Sequence, residues 1–111
     1  MRKSTMIATA LATMVCAFGS GAGTAGAVEY AHGVGVEGGA NFFGPFVSLF
    51  ASETIGTGSG LGCAGIRGIA GVVCETEPGT KVTLVLSGYV NSEPYIHNHS
   101  TFKSTFDGFY Y

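Results

Sequence analysis

The sequence predicts an all-β fold: a small antiparallel β-sandwich or partial barrel, stapled by one disulfide and preceded by a glycine-rich N-terminal arm. Three observations predict it. No segment carries apolar residues at helical spacing. Strand-like runs recur about every ten residues with glycine and proline between them, the rhythm of small sandwiches. Once a leader is removed, Cys63 and Cys74 are the only cysteines left, so their pairing has one solution.

The leader comes first. Arg2 and Lys3 give a positive start, Met6 to Phe18 is a short apolar run, and Ala25-Gly26-Ala27 is an A-x-A cleavage signal. As a helix that run spans only about 20 Å, short of a hydrocarbon core of roughly 30 Å. Residues 1–27 therefore read as a secretory signal peptide, Cys16 leaves with it, and a membrane is not an expected partner afterwards. The remaining chain carries Arg67, Lys81 and Lys103 against Glu29, Glu37, Glu53, Glu75, Glu77, Glu93 and Asp107, a net charge of −4 with neutral histidines. No basic patch is left, which argues against nucleic acid as a partner. An oxidising destination favours a disulfide between the two cysteines, and a chain this short gains from such a staple.

Residues 28–44 read as the loose arm, with a short strand at Val28–Ala31. Residues 45–111 read as the β-domain. Pro45 to Ile55 alternates only partly and reads as a strand with mixed faces, edge-like at its start because Pro45 cannot donate to a ladder. Gly56–Gly62 (GTGSGLG) is a flexible connection by composition. Cys63 to Thr76 reads as a hairpin with Cys63 opposite Cys74. Its turn is either a tight one at Gly68-Ile69 or a wider loop over Arg67–Ala70, and both place Arg67 at the tip. Glu77-Pro78-Gly79-Thr80 has the chemistry of a turn. Lys81–Val90 is the clearest strand, with Val82, Leu84, Leu86 and Val90 on its core side. In the last strand Phe102, Ser104, Phe106, Gly108 and Tyr110 share a face.

The densest run of side chains with both donors and acceptors is Tyr95, His97, Asn98, His99 and Ser100, which is the expected binding surface. Residues two apart on an extended segment project to one face. His97 and His99 could therefore share a metal, with His32, Glu93 or Asp107 completing the set. No metal and no cofactor are expected, because no third ligand is fixed by local spacing. Ser100, a histidine and Asp107 supply the residue types of a hydrolytic triad without the motif of one, so no catalysis is expected. Arg67 on a disulfide-closed tip has the general shape of a protease-inhibitory loop. Phe42, Phe43 and Phe46 are either core or a sticky exposed patch. Asn98-His99-Ser100 matches a glycosylation acceptor. His32-Gly33 near the start and Phe109-Tyr110-Tyr111 at the end are similar in kind to small secreted antibacterial proteins, over too little of the chain to transfer a function.

The sequence thus points to a secreted, extracellular or cell-wall-associated domain that binds a protein or glycan without catalysis. A secreted antibacterial (bacteriocin-like) or protease-inhibitory protein is the alternative, and a histidine-based metal binder a second one.

Overall fold

β-Branched and aromatic residues supply most of the large side chains in the strands, several of which also carry glycine inside them. The computed structural model describes residues 26–111, so the leader and Cys16 lie outside the described residues except for Gly26 and Ala27. Eight strands follow in order: β1 (Val28–Val36), β2 (Asn41–Phe43), β3 (Val47–Gly56), β4 (Gly62–Ile66), β5 (Val73–Cys74), β6 (Val82–Ser92), β7 (Pro94–Asn98) and β8 (Ser104–Tyr110). They form two four-stranded sheets, ordered β1-β8-β3-β6 and β2-β7-β4-β5, and every pairing is antiparallel.

The core lies between the sheets. Phe106 from β8 is fully buried and packs with Ala31 and Val36 of β1 and Ile96 of β7. Burying a phenylalanine in this way is worth about 1.5–3 kcal/mol. The alternation read in the last strand holds: Ser104, Phe106 and Gly108 are buried while Thr105 and Asp107 are not. Phe102 departs from it, because it precedes the strand and is exposed.

Four expectations need correction. The arm is no arm: β1 pairs with β8 and β2 pairs with β7, so residues 28–44 contribute to both sheets. The strand from Val47 is central rather than edge-like, flanked by β6 and β8. The edge is β6 instead, where Val82, Leu84, Leu86 and Val90 are only half-buried because no strand covers its far side. Finally, the glycine-rich connection 56–62 is pinned. The buried Glu75 carboxylate accepts the Gly56 and Gly62 amides, each at 2.8 Å. Ser104 Oγ accepts Gly60 N–H at 2.9 Å, and Ser100 Oγ accepts Leu61 N–H at 2.7 Å.

The Cys63–Cys74 disulfide is present, and Cys63↔Cys74 and Ala64↔Val73 are in the register read from the sequence. Their Cα atoms are 3.9 Å apart, the close spacing of a non-hydrogen-bonded pair rather than the roughly 5.5 Å of a hydrogen-bonded one. The tight turn at Gly68-Ile69 is thereby excluded. Ile69 N–H donates to Ile66 O, so the turn centres on Arg67-Gly68, with Gly68 at φ +83°. A glycine in that third turn position is what a type II turn requires.

Behind β3, the Tyr30 ring rests against Gly44 and Gly108. Its hydroxyl and that of Ser52 are buried and neither makes a hydrogen bond of good geometry, although Ser52 and Thr54 lie beside the phenol. Burial pushes the phenol up to about 12; the neighbouring Ser52 and Thr54 hydroxyls work against this and the Glu53 carboxylate with it.

Candidate functional site

β7 is a central strand, held by β2 on one side and β4 on the other. Its side chains alternate: Pro94, Ile96 and Asn98 are buried, whereas Tyr95 and His97 are partly exposed. Register then builds the outer face of the second sheet in two rows. Phe43, Tyr95 and Gly65 lie side by side in one, and Asn41, His97 and Cys63 in the other.

The first row is aromatic. The Phe43 and Tyr95 rings are 5.3 Å apart and tilted by 46°, a favoured arrangement worth about 0.5–1.5 kcal/mol beyond area burial. Tyr95 lies flat over Gly65, where any Cβ would run into the ring. The Arg67 guanidinium sits 4.8 Å from the Phe43 ring centre. It also pairs with Glu93 at 2.9 Å. The backbone docks the tip in place as well, through Arg67 N–H to Glu93 O and Ser92 Oγ–H to Arg67 O. Beyond this row Phe46 is 70% exposed. Of the three phenylalanines, Phe42 therefore packs on the core, while Phe43 and Phe46 reach the surface.

The second row is polar. His97 Nδ1 lies 2.7 Å from Asn41 Oδ1. The contact ties the imidazole to β2. The His97 and His99 rings are 6.3 Å apart. His99 is exposed at the strand end, next to the disulfide sulfurs. Those sulfurs are bonded to each other and offer a metal no thiolate.

Tyr95, His97 and His99 thus share the face, but Asn98 and Ser100 do not. Asn98 is fully buried. Its amide donates to Val36 O and Phe102 O, and its Oδ1 accepts Ser100 N–H. It serves as a cross-link inside the sandwich, and the Asn98-His99-Ser100 acceptor motif is closed to modification in the folded chain. Strand alternation carried this signal, since a residue between His97 and His99 has to point the other way. The residues that sequence reasoning left out of the site are Asn41 and Phe43, which arrive from β2, and Arg67, which arrives from the turn after β4.

The remaining candidates disperse. Glu93 is tied to Arg67, and His32 and Asp107 lie on β1 and β8 of the other sheet. Among the described residues no metal-sized group includes His97. The triad types are separated likewise: Ser100 holds the 56–62 loop, His97 holds Asn41, and Asp107 accepts Gly33 N–H. No known protein family, curated protein or solved structure matches this chain.

Proposed function

We propose that the chain is exported and acts outside the cell as a non-catalytic binding domain, with the outer face of the second sheet as its ligand surface. The observation that carries this is the Phe43–Tyr95 platform, flanked by His97 on β7 and by Arg67 in the turn of the hairpin that the disulfide closes. Binding energy concentrates in rigid aromatic and arginine side chains, and a surface already ordered loses less entropy on association. Tyr95 is locked against Gly65 and Phe43, and His97 against Asn41. An aromatic plane beside hydrogen-bonding groups suits an extracellular glycan or protein.

The inhibitory-loop alternative requires an arginine free to enter a protease cleft, whereas this guanidinium is shared between Glu93 and Phe43. An acidic net charge also counts against direct membrane lysis by an antibacterial chain.

The test uses the secreted protein, whose N-terminus should begin at Val28. Its retention on intact cells of the producing organism is measured for Tyr95→Ala, His97→Ala and, as an aromatic control on the other sheet, Tyr89→Ala. The first two should weaken retention about tenfold or more, the size of a modest hot spot, while remaining folded at the assay temperature, as circular dichroism checks; Tyr89→Ala should have no effect. Protease or periodate treatment of the cells then separates protein from glycan. Retention that survives Tyr95→Ala overturns the assignment, and a product retaining Met1 overturns export.

A further inference from the structure

Between Glu29 and Val34 the register of β1 against β8 shifts twice: Glu29↔Phe109 is followed by Ala31↔Gly108 and then by Val34↔Phe106. Tyr30 is the extra residue at the first step, and His32-Gly33 oppose Asp107 at the second. In a regular strand, residues three apart point to opposite faces. Here the first bulge turns Glu29 and His32 to one side, and the second, with Gly33 at φ +57°, aims the imidazole at β8. Bulges re-aim side chains in this way, often beside functional sites.

The result is a convergence of three ligand types. His32 Nδ1 lies 3.1 Å from Glu29 Oε2 and 3.4 Å from Asp107 Oδ1. All three atoms fall within 4.8 Å of one another. His32 makes a hydrogen bond to Glu29 and an ion-pair contact to Asp107 at these distances, and ligands about 2.05 Å from a tetrahedral ion would stand about 3.3 Å apart, so an ion could replace the shared proton without moving the three groups far. Gly33 N–H donates to Asp107 Oδ1 at 2.6 Å, the kind of outer contact that orients a metal-binding carboxylate. The charge balance is also open. Among the described residues neither Glu29 nor Asp107 pairs with a lysine or arginine.

We propose that Glu29, His32 and Asp107 form a site for a divalent transition metal of the zinc type, with the fourth position open to solvent. One imidazole with two carboxylates suits zinc, nickel or copper, and offers too few oxygens for calcium. The site belongs to β1 and β8 of the first sheet, separate from the Tyr95 face, so either assignment can fail alone.

Calorimetric titration of the tag-free secreted chain with zinc chloride tests it, alongside thermal melts. One zinc per chain should bind saturably, and the melting temperature should climb with zinc concentration. His32→Ala and Asp107→Asn should each weaken binding about tenfold or more, while His97→Ala leaves it unchanged. The His32 side chain is 82% exposed, so its removal does not threaten folding, and Asp107→Asn keeps an acceptor for Gly33 N–H. No saturable binding at millimolar zinc overturns the proposal. So does binding that survives both variants, or that is lost in His97→Ala.

Discussion

Replacing Tyr30 by phenylalanine removes one oxygen from the interior, and the structure predicts two separate consequences. The hydroxyl is buried and makes no hydrogen bond of good geometry, although the Ser52 and Thr54 hydroxyls lie close enough to act on it. An unsatisfied buried hydroxyl costs about 1–3 kcal/mol, and the ring keeps its place against Gly108 and its tilted contact with Tyr110. Phenylalanine should therefore stabilise the chain by about 1 kcal/mol near neutral pH, taking the low end of that range. The second consequence is alkaline. With the folded phenol pushed up to about 12 from 10.0, chiefly by burial, the neutral form is held by the fold. That contribution is complete below pH 10 and is lost as pH rises toward 12. Linkage gives a loss of about 1.4 kcal/mol by pH 11 and about 2.3 kcal/mol by pH 12. Phenylalanine has no proton to lose, so the gap between variant and wild type should widen by those amounts. Urea titrations at pH 7, 9, 11 and 12 read it directly, at about 1 M of midpoint shift per kcal/mol for a chain of this size. A gap that stays constant from pH 9 to pH 12, or a wild type more stable than the variant at pH 7, would refute the reasoning.

Glu75→Gln replaces one of two acceptor oxygens with a donor facing the Gly56 or Gly62 amide; it should cost about 2–3 kcal/mol in chemical denaturation. Replacing Cys63 and Cys74 together with alanine should cost about 2–4 kcal/mol, and intact-mass measurement of the parent should show the two-dalton deficit of the bond. Asn98→Ala takes the partner from the buried Val36 carbonyl and from the half-buried Phe102 carbonyl and Ser100 amide, and should cost about 2–3 kcal/mol. A neutral Asn98→Ala, checked by thermal melting, would return that residue to the surface.

What could be read ahead of the structure was what depends on near neighbours and on a two-residue period. The Cys63–Cys74 pairing needed only two cysteines and strand geometry. The shared face of Tyr95, His97 and His99 needed only alternation, which if applied strictly would also have sent Asn98 inward. What stayed hidden depends on contacts far apart in sequence. Gly56–Gly62 is flexible by composition, and its order comes from Glu75, Ser100 and Ser104. The glycines of residues 28–44 suggest looseness, yet one of them, Gly33, provides the bulge that keeps β1 on its partner. Arg67 and Tyr95 read as rival sites. They meet at Phe43 because β4 and β2 flank the same strand.

The strand irregularities have one more effect, on how copies of this chain behave toward each other. A sheet ends in a row of unpaired amides and carbonyls, and a long straight row recruits the next molecule into a growing ribbon. Two sheets give four such borders, β1 and β6 on one and β2 and β5 on the other. β1 is broken twice by bulges, and β6 loses register opposite the Leu49–Ala51 stretch of β3. β2 and β5 are only three and two residues long. No border offers a long regular template. A chain with 46% hydrophobic residues and few charges, and with no helix among its described residues, is thereby protected from edge-to-edge aggregation by backbone geometry rather than by surface charge.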